Sequence, residues 1–177
     1  MFKDGLLKGK RILVTGGGTG LGREIATRYL QLGAEVWIAG RRGSVLDSCA
    51  KELARKHGGT VRTHAVDIRD SQAVDAMVQR IWDEAGPLTG LVNNAAGNFI
   101  SPTQDLSANG FNAIANTVFH GTFYVTHAVG KRWIAGGHQG SVVSILVTWV
   151  WTGSPYVVPS AMSKAGIVAA RRGEGGP

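Results

Sequence analysis

The 177-residue sequence predicts an α/β fold in which a doubly wound parallel sheet is flanked by helices. Short β-rich runs alternate along the chain with segments whose apolar residues recur at helical spacing. The β-rich runs are nearly continuously apolar, which is typical of strands that have helices on both faces. Because crossovers between such strands are right-handed, the repeated strand–helix units build one parallel sheet.

Five strands and five helices follow from these patterns. The strands are predicted at residues 11–14, 35–39, 61–65, 90–92 and 141–146. The helices are predicted at residues 21–32, 44–57, 71–85 and about 108–133, and a last helix begins near Tyr156 and contains Lys164. Ligands of such sheets bind beyond the carboxyl ends of the strands, so we expect a site there.

Composition and charge argue against several classes of function. The lysines and arginines behind the net charge of +7 are scattered, with no basic helix face, so we expect no nucleic-acid partner. No apolar run is long enough to span a bilayer, and His120, His127 and His138 fit no metal-ligand spacing. The single Cys49 and the lack of a secretory pattern in residues 1–10 predict a cytoplasmic location.

A glycine-rich turn joins the first predicted strand to the first predicted helix. Its glycines allow the main chain to approach a pyrophosphate, whose charge is favoured by the helix N-terminus. A turn without a ligand is the alternative, which the flanking strand and helix disfavour. The pattern predicts a Rossmann-type dinucleotide-binding domain that contacts its cofactor through Gly16, Gly17, Gly18, Thr19, Gly20, Leu21 and Gly22, with Thr19 as helix cap.

Charged residues follow the next two strands. Arg41 and Arg42 stand where a domain selective for NAD would carry an acidic residue, and two cations favour the 2′-phosphate of NADP(H). The alternative is a solvated arginine pair at the start of a helix. Asp67 is placed either to accept a hydrogen bond from the adenine amino group or to cap the helix that starts at Ser71.

The segments TGGGTGLG, VDIRD, LVNNAAGNF and PSAMSKAG together resemble the short-chain dehydrogenase/reductase family. Within that family the chain is most similar to the 2,4-dienoyl-CoA reductases, through residues 93–99, the adjacent ISPTQDLS and VVPSAMSKAG. The similarity extends from Lys10 to about Ala169. It implies NADPH-dependent reduction of a 2,4-dienoyl-CoA, an acyl-CoA thioester, in fatty-acid β-oxidation.

Two positions depart from the general pattern of the family. Its usual tyrosine, four residues before the lysine, is Ser160, and its usual serine, thirteen residues earlier, is Val147. The phenol that protonates the alkoxide in carbonyl reductases is therefore absent. Reduction of a conjugated thioester instead develops charge on the thioester oxygen, where hydrogen-bond donors matter most.

The resemblance implies roles for four residues at the reacting end of the site. Asn98 and the residue at position 149 donate hydrogen bonds to the thioester oxygen, while Lys164 and Ser160 hold the nicotinamide ribose and its neighbourhood. Position 149 is a tryptophan, whose indole N–H donates a hydrogen bond but cannot act as a phenolic acid. The alternative is that Trp149 only lines an apolar substrate pocket.

Further contacts are implied by the same resemblance. Ile68, Asn94 and Ala95 lie at the cofactor. Arg41 and Arg69 approach phosphates of the CoA moiety, and Phe99 and Ser107 line the thioester channel, although both arginines also fit solvated loop positions. Proteins of this family usually form homo-oligomers through their fourth and fifth helices.

The sequence pattern changes near the end of the chain, and two other functions are compatible with the sequence. Apolar periodicity stops at Ala170, so we expect residues 171–177 to be a disordered tail or the product of a shifted reading frame. Residues 1–177 then form one incomplete Rossmann domain that lacks carboxy-terminal strands. The alternative functions are a non-catalytic NADP(H)-binding protein and a carbonyl or alcohol oxidoreductase whose acid is relocated to a residue such as Tyr156.

Overall fold

The computed structural model describes residues 2–173, and the side chains of residues 2–170. Five parallel strands form one sheet in the order β3-β2-β1-β4-β5. The strands are β1 (Arg11–Thr15), β2 (Glu35–Gly40), β3 (Val61–Ala65), β4 (Gly90–Asn93) and β5 (Ser141–Ser144). The helices are α1 (Gly20–Gln31), α2 (Gly43–His57), α3 (Ser71–Ala85), α4 (Ala108–Ala115), α5 (Gly121–Gly136), α6 (Trp149–Thr152) and α7 (Val158–Gly173).

The predicted α/β fold is confirmed, and the predicted bounds of β3 and α3 agree with the structure. Three local features differ from the prediction. The predicted helix at 108–133 divides at a π-helical turn, Asn116–His120, which separates α4 from α5. The short helix α6 and a 3₁₀ turn at Thr103–Asp105 were not predicted. Helix α7 continues to Gly173, and residues 174–177 of the expected tail lie outside the described residues.

Two apolar clusters pack on the opposite faces of the sheet. Trp37 and Leu91 contribute to the cluster beneath α3 and α5, whereas Ile38 and Val92 contribute to the cluster beneath α1 and α2. The expectation that strands are covered on both faces therefore holds for β1, β2 and β4. It is wrong for β3 and β5, whose side chains are largely exposed or half-buried because these strands lie at the edges of the described sheet.

Among residues 2–173, no helix combines the length and the apolar character needed to cross a bilayer. The same residues hold no cluster of three histidine, cysteine or acidic side chains arranged for a metal ion.

An ion-pair network joins α3 to α5. The guanidinium of Arg132 donates to both carboxylate oxygens of Asp75, at 2.9 and 3.2 Å, and to the side chain of Gln79. Lys131 lies 2.6 Å from the same carboxylate. The hydrogen bonds from Arg132 and Lys131 hold the pKa of Asp75 far below its usual range. This carboxylate therefore stays ionised below the pH at which an ordinary aspartate is protonated.

We expect Asp75→Asn to lower the free energy of unfolding by about 1 to 2 kcal/mol at neutral pH, since two cations lose their counter-charge at a partly solvent-screened site. Because the folded pKa is lower than the unfolded value of about 3.9, the stabilisation is present above that pH. It is lost as pH falls through the folded pKa. Urea unfolding at several pH values measures both effects.

The matched control is Glu24→Gln, which removes an exposed carboxylate on α1 for which the described residues provide no ion pair. An equal loss of stability in both variants would contradict the proposed role of Asp75.

Candidate cofactor and active site

A groove of about 290 Å³ opens at the carboxyl ends of β1, β2, β3 and β4. This is the position at which parallel doubly wound sheets bind their ligands. The groove is lined by main chain of the turn between β1 and α1, by residues that follow β2 and β3, and by the start of the loop after β4. Its lining consists of Gly16, Gly18, Thr19, Leu21, Gly22, Ala39, Gly40, Arg41, Arg42, Val45, Leu46, Val66, Asp67, Ile68, Asn94, Ala95, Ala96 and Thr117.

In the phosphate loop, residues 15–22, glycine is favoured at different positions for different structural reasons. Gly16 and Gly20 adopt φ values of +66° and +52°, a left-handed conformation that side chains disfavour. A Cβ at Gly20 would meet no atom within 4 Å, so this part of the loop is open to a ligand. A Cβ at Gly22 would overlap the carbonyl oxygen of Gly16 and lie 2.5 Å from Nδ2 of Asn94.

Side chains from β1 and β4 hold the phosphate loop in place. The hydroxyl of Thr15 accepts from the main-chain N–H groups of Asn94 and Ala95, each at 3.1 Å, and donates to the carbonyl of Val92. The amide of Asn94 donates to the carbonyls of Thr15 and Gly16, at 3.0 and 3.3 Å. Thr15 is therefore a positioning residue that the sequence analysis did not identify, although it is the last residue of a strand before a glycine-rich turn.

Helix α1 begins without a side-chain cap. Thr19 occupies the cap position with extended backbone, but its side chain makes no capping hydrogen bond, contrary to the expectation. The first turn holds no acidic residue. Because the first N–H groups of a helix have no partner within the helix, they remain available to an anion in the groove. The loop and the helix therefore fit the pyrophosphate of a dinucleotide.

Arg41 and Arg42 line the groove beside the carboxyl end of β2. Both residues are exposed, and neither side chain forms a hydrogen bond or ion pair with the described residues. Arg42 holds the cap position of α2 through its main chain, accepting from the N–H groups of Val45 and Leu46. The two guanidinium groups therefore have no ion-pair partner among the described residues, and they lie where the adenosine ribose of a bound dinucleotide would lie.

Asp67 and Asp70 divide two roles at the end of β3. The side chain of Asp70 accepts from the N–H groups of Gln72 and Ala73, at 2.9 and 3.0 Å, and so caps α3. The capping alternative for Asp67 is therefore wrong. Asp67 instead lines the groove and pairs with Arg69, whose hydrogen bonds lower the pKa of the Asp67 carboxyl.

Lys164 and Ser160 lie one helical turn apart on α7, and both are about 5% exposed. The ammonium of Lys164 donates to the carbonyl of Ile145, directly after β5. Burial lowers the pKa of Lys164 below its ordinary value. The cause is desolvation, which disfavours the charged form of an amine.

The residues predicted for the acyl thioester lie in exposed segments, with Trp149 at the start of α6. Asn98 is exposed, and Phe99 and Trp149 are 42% and 36% exposed. The hydroxyl of Ser107 accepts from the N–H of Gly110, so Ser107 also caps α4. Val147, at the position of the family's usual serine, is half-buried between β5 and α6.

Two hydrogen bonds join the loop after β4 to the loop before α7. The N–H of Ser101 donates to the carbonyl of Tyr156 at 3.0 Å, and the hydroxyl of Thr103 donates to the carbonyl of Pro155 at 2.8 Å. These contacts between distant parts of the chain left no signal in the sequence pattern. They place the segment after Asn98 beside the entrance to α7, which carries Ser160 and Lys164.

Comparison with known proteins agrees with this geometry. Residues 10–173 match the model of the short-chain dehydrogenase family. A protein of Caenorhabditis elegans named as a probable 2,4-dienoyl-CoA reductase that produces a (3E)-enoyl-CoA is 44% identical over 168 residues, which are 94% of this chain and 54% of that protein. A peroxisomal 2,4-dienoyl-CoA reductase of Arabidopsis thaliana is 34% identical over 180 aligned positions, which cover 97% of this chain and 59% of that protein.

A solved structure supports the same relationship. The crystal structure of a short-chain dehydrogenase from Mycobacterium smegmatis superimposes with a TM-score of 0.93 at 30% identity, covering 98% of this chain and 73% of that one. The chain spans about half the length of the curated relatives it matches. Members of this family use NAD or NADP as cofactor. The chain therefore belongs to the short-chain dehydrogenase/reductase family and is similar to proteins named as 2,4-dienoyl-CoA reductases.

Proposed function

We propose that the chain is the NADP(H)-binding part of a reductase that converts a 2,4-dienoyl-CoA to a (3E)-enoyl-CoA in fatty-acid β-oxidation. One observation supports this proposal. Lys164 is buried on α7, and one turn earlier Ser160 stands where carbonyl reductases need a phenolic acid. A conjugated thioester does not require protonation of an alkoxide, so it suits a site without that phenol. The names of the relatives supply the substrate class.

The residues for the cofactor are those that line the groove. NADPH, when bound, supplies the hydride for the distal carbon of the diene. The phosphate loop and the N-terminus of α1 bind the pyrophosphate, while Arg41 and Arg42 bind the 2′-phosphate. Asp67 accepts from the adenine amino group, with Ile68, Asn94 and Ala95 lining the groove beside it. Lys164 and Ser160, which lie outside this lining, would hold the nicotinamide ribose.

Charge then develops on the thioester oxygen of the substrate as a dienolate. We assign the amide of Asn98 and the indole N–H of Trp149 as donors to that oxygen, because the resemblance implies this role for both positions and both side chains are exposed. Such donors stabilise the charge where it forms. A proton at carbon 2 then completes a 3-enoyl product, since the hydride enters at carbon 5.

The CoA moiety carries phosphates that need cations. We assign Arg41 and Arg69 to them, because Arg41 lies at the groove and the Nη1 of Arg69 has no partner among the described residues. Phe99 and Ser107 line the path of the thioester arm. The cytoplasmic location and the homo-oligomer expected from the sequence stay predictions, and the Arabidopsis relative is named as peroxisomal.

Arg41→Ala combined with Arg42→Ala tests the cofactor preference. We expect the Kd for NADPH to rise about 10- to 100-fold while the Kd for NADH changes little, because only NADPH carries the 2′-phosphate. Fluorescence titration measures both constants. Arg55→Ala, which removes an exposed arginine from α2, is the matched control, and an equal weakening of NADH binding would contradict the assignment.

Asn98→Ala tests the assigned oxyanion donor. The assay follows NADPH consumption with 2,4-hexadienoyl-CoA, using this chain extended by the remaining carboxy-terminal segment of the Caenorhabditis elegans relative. We expect kcat to fall about 100-fold, because the hydrogen bond is strongest in the transition state. The variant Asn112→Ala, on exposed α4, is the control.

Two outcomes of this assay argue against the proposal. Binding of NADPH by the extended chain with no turnover of the dienoyl-CoA would favour the non-catalytic alternative. Reduction of simple ketones in place of the dienoyl-CoA would favour a carbonyl reductase.

A further inference from the structure

Arg69 contacts the candidate cofactor groove only through another residue. Asp67 and Ile68 line the groove, whereas Arg69 is absent from its lining and is exposed. Its side chain turns back along the chain to the carboxylate of Asp67, two residues earlier. Arg69 therefore approaches this carboxylate from outside the space that a bound nucleotide would fill.

Donors from Arg69 occupy most of the acceptor capacity of Asp67. Oδ1 accepts from the main-chain N–H of Arg69 at 3.1 Å and from its Nε at 3.0 Å. Oδ2 accepts from the same Nε at 3.0 Å and from Nη2 at 2.5 Å. Three donor hydrogens thus share a carboxylate that offers roughly four lone-pair sites. About one acceptor site is left for a group inside the groove.

We propose that Arg69 is a positioning residue that fixes the carboxylate of Asp67 so that the groove selects a purine with an amino group at carbon 6. This inference rests on the nucleotide-binding role proposed above. An N–H donor of adenine completes the set of hydrogen bonds on Asp67. A keto oxygen at carbon 6 would face the ionised carboxylate instead. Because neither group can donate a hydrogen bond, this contact is repulsive.

The charges and bonds around Asp67 are consistent with this role. The hydrogen bonds of Arg69 are the main cause of the lowered pKa of Asp67, and the nearby charge of Arg41 adds to it. The carboxyl is therefore ionised, and an acceptor only, throughout the pH range of any assay. The capping of α3 falls to Asp70, so Asp67 has no structural task in that helix.

The test compares two cofactors in the absence of acyl-CoA, using the 177-residue chain. One is NADPH, and the other is reduced nicotinamide hypoxanthine dinucleotide phosphate, which carries a keto oxygen in place of the adenine amino group. Fluorescence titration gives a Kd for each. We expect the chain to bind NADPH about tenfold more tightly than the hypoxanthine analogue, the magnitude of one hydrogen bond to a charged group.

Arg69→Gln should lower the preference for NADPH, because the carboxylate is then no longer held with its remaining acceptor site fixed in the groove. Arg69→Lys should restore part of the preference, since an ammonium keeps the charge but not the paired donors. Asp67→Asn should favour the hypoxanthine analogue, because its amide donates to a keto oxygen. Arg55→Gln, an equal change of charge on α2, should leave the ratio unchanged.

An unchanged ratio in Arg69→Gln, with NADPH still bound, would overturn this inference and leave the proposed function standing. If Arg69 had only a structural role, its substitution would weaken the binding of both cofactors equally. A change in the ratio of the two Kd values would rule out that role. Failure of the chain to bind NADPH at all would contradict the proposed function and the inference together.

Discussion

The close packing of the phosphate loop against the end of β4 is the constraint on which the site depends. Asn94 donates hydrogen bonds to the hydroxyl and the carbonyl of Thr15 across the two strand ends, and the packing leaves no room for a side chain at Gly22. Glycine is needed at position 22 because a side chain there would overlap other protein atoms, whereas a Cβ at Gly20 would meet no atom within 4 Å. The groove thus owes its shape to the fold, which spares a ligand part of the entropic cost of ordering it.

Local patterns were sufficient to predict the sheet and the glycine loop, because strand periodicity, helix periodicity and turn preferences depend on residues that are close in sequence. They left Asp67 as a candidate cap of α3, and only the folded chain shows that Asp70 fills that position. The exposure of β3 and β5 depends on their place in the sheet. The bonds from Ser101 and Thr103 to the loop before α7 join residues more than fifty positions apart.

The two ends of the proposed site differ in how firmly they are built. The groove assigned to the cofactor lies at strand ends, beside the N-terminus of α1 and the capped helix α3. The residues assigned to the acyl thioester lie in exposed segments, with Phe99 and Trp149 partly open to solvent. Lys164 is buried on α7 and bonded to the carbonyl after β5. Under the proposed function, the strand ends would determine cofactor recognition, and exposed segments, which tolerate sequence change more readily, would determine substrate recognition.

The π-helical turn between α4 and α5 has a consequence for aligning this chain with its relatives. Upstream of the turn, Ile114 packs near Ile167 of α7, and downstream of it Gly121 lies against Ile68. In an uninterrupted α-helix each residue adds about 100°, so one extra residue would turn the following segment away from its contacts. A π-helical turn holds that extra residue within the turn, so α4 and α5 can each keep their inward-facing sides. A relative with one residue fewer in residues 116–120 can close the turn as ordinary α-helix and keep the contacts of both flanking helices.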